Sequence, residues 1–310
     1  MPVNVDSWII VTDERRIGGM LAAARQLGGR VTAAVVGPRS LADAVAANGF
    51  DRVLWYSPED GTPAEAYAAQ VAEAANAAAP RVVLSSDAPA GRVLLGVVAR
   101  KLDAAVVASA RGVNVVGNGI LVSRSAAEGK VVETLEASGT LACIFDGDDV
   151  LQIIPQPTAV EDAPIVDPGS SLRVVETELA GADSAGLLTA TRVVSVGLGL
   201  RAKEDLKQIE ELAAAVHAEV ACSLPVCDDM RWFESSRVVG TSHNQIAPDL
   251  YIAVGISGQP QHMAGVRDAK VVVAINNDPE ARIFKNCDIG ILGDLYQVVP
   301  ALTAAFKAVN

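Results

Sequence analysis

The sequence predicts an α/β protein of two domains. Residues 1–185 should form a mixed, mostly parallel sheet with helices, and residues 186–310 a doubly wound parallel sheet. Three observations carry this. Short apolar runs alternate with helical-period segments over most of the chain, the pattern of parallel sheets covered on both faces. Half of the 310 residues are hydrophobic but only 4% are aromatic, and Ala and Val dominate, as in tightly packed α/β layers. Between the halves, residues 155–186 are rich in Pro, Gly, Ser and acids (PQPTAVEDAPIVDPGSS, then GADSAG), which marks a boundary. At this length each half can bury its own core.

In chain order, Trp8–Val11 (WIIV) reads as the first strand, and the charged DERR at 13–16 as a solvated loop. Met20, Ala23 and Leu27 share one helical face, closed by Gly28-Gly29. Val31–Val36 is the second strand. Ser40 is placed to cap a helix through Ala47, and Asn48-Gly49 ends it. Arg52–Trp55 is a third strand, Thr62-Pro63 opens an alanine-rich helix to Ala79, and Arg81–Leu84 and Ala105–Ala108 are strands around a helix over 90–102. The rhythm then changes. Segments from Gly117 to about Val150 (VGNGILVSRS, VVETLEAS, TLACIF, VLQII) read as strands joined by short turns, with Asn118-Gly119 as a hairpin turn. Leu172–Leu179 reads as a last strand returning to this sheet. Ser85-Ser86-Asp87 reads as a helix cap or a small-anion site, and no nucleophile–base–acid arrangement occurs in this half.

Composition excludes several function classes. A formal net charge of −12 without any basic run argues against neutralising nucleic-acid phosphates. Four cysteines without C-x-x-C spacing and three scattered histidines argue against a structural zinc site. No apolar run approaches the ~20 residues that span a bilayer, and MPVNVDSWII lacks a signal peptide's basic start and long apolar core. The expectation is a cytoplasmic protein without membrane insertion.

The second half opens with Arg192–Val196 and then Gly197-Leu198-Gly199-Leu200-Arg201-Ala202, a G-x-G-x-x-A run directly after a strand. Leu206, Ile209, Ala213 and Val216 follow at helical spacing, the context a dinucleotide fingerprint requires. The acidic residue expected after the next strand is missing, since Val220–Leu224 ends in Ser223-Leu224-Pro225. A long loop, 227–244, is dense in hydrogen-bonding groups and is a candidate ligand wrap. Leu250–Val254 is then a buried strand stopped by Gly255, with Ser257-Gly258 and the polar Gln259, Gln261 and His262 after it. This stretch reads equally as a plain strand-to-helix connection or as a nucleotide turn. Lys270–Ile275 ends in Asn276-Asn277-Asp278-Pro279, and Ile289–Leu292 in Gly293-Asp294 before a helix from Leu295. In a parallel sheet the ends at Gly197, Ser223, Ser257, Asn276 and Asp294 lie on one edge and describe an extended nucleotide groove.

The run VGTS…IAPDLYIAVGISGQPQHMAGVRDAKVVVAINNDPEARIF…DIGILGDLYQVVPAL closely resembles the C-terminal FAD domain of the electron transfer flavoprotein alpha subunit. The resemblance is near-continuous from Val238 onward and weaker through the first half. It implies FAD held mainly by residues 186–310, and an N-terminal domain that is scaffold and docking surface for a homologous beta-type subunit in a heterodimer. It further implies electrons carried from an acyl-CoA or other flavin dehydrogenase to an acceptor. The cofactor-binding residues it implies are Ser223; Val239, Gly240, Thr241 and Ser242; Ser257, Gly258, Gln259, Pro260, Gln261 and His262; Asn276; and Asp294 with Leu295. His262 is expected near the pyrimidine edge of the ring. Leu198 and Leu224 stand where the family usually has arginines, Thr241 replaces a glutamine, and His243-Asn244 replaces a lysine-bearing turn. Loss of the cation at 224 should make flavin reduction harder, with Arg231 or Arg237 as the available substitutes. A bifurcating complex, or a redox-silent nucleotide-binding paralogue with a structural or regulatory role, is the alternative.

Overall fold

A computed structural model describes residues 4–127, 131–147, 158–164, 172–177 and 182–309. It divides into two compact units, Met1–Thr177 and Glu178–Asn310. In the first, β1 (Val5–Val11), β2 (Gly28–Val36), β3 (Arg52–Tyr56), β4 (Val82–Ser85), β5 (Ala105–Val116), β6 (Gly119–Ala126), β7 (Val131–Ala137), β8 (Leu141–Phe145) and β9 (Val160–Asp162) form one sheet. Its order is β7-β6-β5-β8-β4-β1-β2-β3-β9. Helices α1 (Ile17–Arg25), α2 (Arg39–Ala46), α3 (Ala68–Ala78) and α4 (Pro89–Lys101) cover it. Alternation along β1 shows why both faces are covered. Ile9 and Val11 join a core with Met20 and Leu21 of α1 and Val45 of α2, while Trp8 and Ile10 join a second core with Val71 of α3 and Leu94 and Val98 of α4. A strand buried on both sides must be apolar throughout, and WIIV is.

Several expectations change here. The segment TLACIF is not part of a meander: β8 runs parallel to both β4 and β5 and is inserted between them, and only β5-β6-β7 is antiparallel. Short-turn signals cannot distinguish a neighbour in sequence from a neighbour in the sheet. The hairpin turn is Gly117-Asn118 rather than Asn118-Gly119, since Val116 pairs with Gly119 and Gly117 takes the positive φ of +59°. The last strand is Val160–Asp162, inside the stretch read as linker, pairing with β3. Residues 172–177 form no strand, and the expected strand over 150–154 lies outside the described residues. Ser40 falls inside α2, whose N-cap is Pro38.

The second unit carries β10 (Arg192–Val196), β11 (Glu219–Cys222), β12 (Leu250–Val254), β13 (Val272–Asn276) and β14 (Ile289–Leu292) in the order β11-β10-β12-β13-β14, every pair parallel. With α5 (Ala182–Thr189), α6 (Leu206–Ala215), α7 (Leu224–Asp228), α8 (Pro260–Ala264) and α9 (Leu295–Val309), this is a doubly wound α/β unit. Leu206, Ile209, Leu212 and Ala213 of α6 pack with Val299 of α9 on one face. Each large apolar side chain so buried contributes about 1.5–3 kcal/mol. Leu187, Val239, Ile246 and Val266 fill the opposite face. The winding direction reverses between β10 and β12, where such sheets open a crevice at their carboxyl ends. Among the described residues no helix is long and apolar enough to cross a membrane, and no cluster of metal-ligating side chains occurs.

Candidate functional site

All five strands of the second sheet point the same way, so the residues after Val196, Cys222, Val254, Asn276 and Leu292 share one edge. At the reversal point the loops are closed by backbone. Gly197 N–H donates to the Val254 carbonyl at 2.9 Å and Gly199 N–H to the Gly255 carbonyl at 3.2 Å. A Cβ on Gly199 would stand 2.7 Å from Gly255 Cα, and one on Gly197 would overlap the Gly255 carbonyl. Gly255 takes φ +62°, a conformation costly for any residue with a Cβ. The glycines of the G-x-G-x-x-A run therefore serve close packing of two loops. The fingerprint expectation is corrected accordingly: the helix does not follow the glycines at once, and α6 begins only at Leu206 behind a 3₁₀ turn at Lys203–Asp205.

The next loop is pinned in the same manner. Gly258, at φ +79°, faces the Ile283 backbone so closely that a Cβ would collide with it, and Ile283 N–H donates to the Ser257 carbonyl at 3.1 Å. Beyond β11, Val239 N–H donates to the Cys222 carbonyl (3.0 Å) and Thr241 N–H to the Gln261 carbonyl (2.9 Å). Gly265 lets α8 approach Gly240, where a Cβ would lie 2.5 Å from the amide nitrogen. The Asn244 side-chain amide donates to the Ser236 and Val238 carbonyls at 2.7 and 2.9 Å, which makes the His243-Asn244 turn a brace for the 239–242 segment. The structure thus brings 239–242 and 257–262 together across one seam.

Within this frame the expected site residues divide sharply. Thr241, Ser242, Ser257, Gln259 and Gln261 are exposed along the seam, with Pro260 half-buried at the start of α8. Val239, Gly240, Gly258 and Leu295 are buried, Leu295 in the α6–α9 core. Ser223 is buried and its N–H donates to the Val196 carbonyl at 2.9 Å. The Asn276 side chain spans two loops, donating to the Ile256 carbonyl (2.9 Å) and accepting from Asp278 N–H (3.0 Å). Asp294 accepts from Tyr296 N–H at 3.0 Å and so caps α9.

His262 is buried, and its Nε2 lies 2.7 Å from the Tyr251 hydroxyl while Nδ1 has no hydrogen-bond partner. Burial pushes its pKa down to about 4, opposed by the backbone of Val239, so the imidazole is neutral at neutral pH. Leu198 and Leu224 are 54% and 39% exposed, and neither side chain is a core residue. Arg237 is held beside β11 by Glu219 (2.7 Å) and the Val220 carbonyl (3.2 Å). Arg231 is exposed at φ +54°. Trp232 and Phe233 pack against the α6 face as loop anchors. Burial raises the thiol pKa of Cys222 to about 12, which makes it inert.

The family described as the electron transfer flavoprotein FAD-binding domain matches residues 186–267, and the electron transfer flavoprotein domain matches residues 19–145. The electron transfer flavoprotein subunit YdiR of Escherichia coli K12 is 34% identical over 300 residues, 95% of this chain and 96% of its own length. FixB of Salmonella typhimurium LT2 is 33% identical over 308 residues, 96% and 97% of the two chains. The chain belongs to the electron transfer flavoprotein alpha-type family.

The FAD-binding-domain match contains both sides of the seam, 239–242 and 257–262, and ends before Asn276, Asp294 and Leu295. Three residues in the strands and loops that build this site give little signal in the sequence. Tyr251 sits in an apolar strand and gives no polar signal. Arg282, whose Nη1 donates to Gln259 Oε1 at 3.2 Å, follows the strand-end cluster N-N-D-P-E-A closely enough to have been considered. Arg201, four positions past the first glycine, stacks over the Tyr296 ring at 4.6 Å. Tyr296 in turn donates to Asp205 Oδ2 at 2.6 Å and accepts from Arg201 N–H at 2.7 Å.

Proposed function

We propose that this chain is the FAD-binding alpha subunit of a heterodimeric electron transfer flavoprotein. With a beta-type subunit it carries electrons from an acyl-CoA or other flavin dehydrogenase to an acceptor. The observation that supports this most is the seam itself. At the carboxyl edge of an all-parallel sheet, exposed Thr241, Ser242, Ser257, Gln259 and Gln261 lie on the two segments that meet at the seam, and the 257–262 segment carries a buried histidine whose Nδ1 has no partner. A buried polar atom left without a hydrogen bond costs about 1–3 kcal/mol, so it marks a place where a ligand with polar edges would be stabilised. A flavin with its ribityl and phosphate groups has such edges.

On this reading the hydroxyls and amides of the seam would hold the cofactor's polar edges. Arg201 and Arg282 would supply cations for its phosphates, and Asp294 a carboxylate oxygen for a ribose hydroxyl. The flavin, when bound, supplies the one- and two-electron chemistry; the chain orients it and sets the local charge. His262, neutral, offers a dipole rather than a positive charge. With Leu198 and Leu224 where the family usually has arginines, the seam would offer few cations to the ring. The N-terminal domain serves as scaffold and beta-subunit docking surface. All four cysteines are free thiols, which supports a reducing, cytoplasmic setting.

The test is co-expression with the neighbouring beta-type subunit and a visible spectrum. A yellow heterodimer with one FAD is expected. A complex that stays colourless after FAD addition overturns the electron-carrier reading in favour of a redox-silent partner, and two FAD per heterodimer would mark a bifurcating complex.

A further inference from the structure

Among the described residues, the core on the α8 side of the second sheet is lined by apolar side chains and by a run of three polar ones, Ser195, Tyr251 and His262. Ser195 and Tyr251 are fully buried, and His262 is 8% exposed. The register places Tyr251 opposite Val193 and Ser195 opposite Ala253, so the two project from adjoining positions of β10 and β12 on one face. The contact that joins this run to the seam is Tyr251 Oη to His262 Nε2, 2.7 Å.

That contact has two possible directions, and the surroundings choose between them. A buried phenol keeps its proton, and it can give that proton to an imidazole nitrogen that carries none. Nδ1 is the remaining ring nitrogen. The backbone of Val239 favours a proton on the ring, as a carbonyl does, and Nε2 is already engaged. A bare Nδ1 lone pair would oppose that carbonyl dipole; an Nδ1–H is attracted to it. No hydrogen bond is formed at Nδ1, which leaves that nitrogen unsatisfied.

We propose that Tyr251 is a positioning residue for His262: its phenol donates to Nε2, holds the single proton of the neutral imidazole on Nδ1, and makes Nδ1–H the donor offered to the cofactor. The last step rests on the flavin reading. The first two do not. Which ring nitrogen is free to serve a ligand is set by the bond made by the other, and here that bond comes from a strand residue beneath the site.

The experiment uses the full chain with its beta-type subunit, labelled with ¹⁵N-histidine, and long-range ¹H–¹⁵N correlation spectra. The His262 signals are identified by their loss in His262→Gln. The expected wild-type result is a protonated Nδ1 and an unprotonated Nε2, with the ratio shifting toward Nε2–H in Tyr251→Phe. An unprotonated Nδ1 in the wild type, or an unchanged ratio in Tyr251→Phe, overturns the assignment. The wild-type measurement stands even if the variant folds poorly. FAD titration is the second readout, with binding about tenfold weaker expected in Tyr251→Phe. Unchanged affinity in a shifted tautomer would overturn the ligand-facing step. A wild type that holds the Nδ1–H form but takes up no FAD removes the flavin reading and leaves the Tyr251 assignment standing.

Discussion

The chain holds two doubly wound sheets, and they treat their reversal points differently. In the first unit the winding reverses between β1 and β4. There the loops spend their polar groups on one another: Ser86 Oγ donates to Asp13 Oδ1 at 3.4 Å and accepts from Ala88 N–H, Ser85 Oγ donates to the Ile10 carbonyl, and Arg15 pairs with Asp13 at 3.2 Å. In the second unit the reversal between β10 and β12 is closed by Gly197, Gly199 and Gly255, backbone against backbone. The two glycine loops meet without side chains, Asn276 and Arg282 bond across the neighbouring loops, and Ser257, Gln259 and Gln261 remain exposed. One topology thus gives an edge whose polar side chains bond to one another in the first unit and an edge that keeps polar side chains exposed in the second. The match to the FAD-binding domain, residues 186–267, falls on the second of these edges.

The comparison can be broken most directly at glycine. Gly258→Ala should destabilise the second unit by at least about 3 kcal/mol, because it combines a positive φ with a collision against the Ile283 backbone. Gly61→Ala in the first unit has φ +75° but open space and should cost only about 1 kcal/mol. Thermal unfolding of both variants reads the difference, and equal losses would mean that backbone packing does not set the second edge apart.

Acid should separate the units next. His262 has a folded pKa of about 4, below the ordinary histidine value of about 6.5. Between those two values the unfolded chain binds the extra proton. Stability of the second unit is therefore full above the unfolded value and falls as pH drops toward 4, by on the order of 3 kcal/mol in total. The first unit has no histidine. Its Asp51 carboxyl, held low by Arg25 and the Val31 amide against the cost of its burial, adds stability that is lost only below the ordinary carboxylate range. Unfolding followed at several pH values should show the second unit weakening first.

Leu224→Arg should sharpen the functional side. A unit charge several ångströms from the ring in a partly dry site is worth on the order of 2 kcal/mol. The flavin midpoint potential should therefore rise by tens of millivolts, as measured by reductive titration. An unmoved potential would place residue 224 away from the ring. The smallest effect belongs to the edge of the first sheet. The Arg52–Glu161 pair joins β3 to β9 at 2.7 Å with both side chains 40% or more exposed, and Arg52→Ala should cost at most about 1 kcal/mol in thermal unfolding.

Much of this molecule was legible in its residues because burial on two faces forces continuous apolar strands, and a 3.6-residue period forces helical faces. The α/β class, the five strands of the second sheet and their polar ends all follow from that. The family is legible too, from the combination of the GISG-x-x-QH, AIN-x-DPEA and DL-x-x-VVP runs. The sequence could not say that β8 inserts between β4 and β5, or that the Val160–Asp162 stretch completes the sheet. Sheet neighbours are chosen by packing across the whole domain, whereas turn residues report only local geometry. Nor could it separate the exposed members of the expected site from the buried ones. A glycine that admits a ligand and a glycine that admits another loop look alike until the opposing backbone is in view. Tertiary structure alone put Tyr251 beneath His262, because the two side chains meet only when the strand and the short helix after it fold back on the same face.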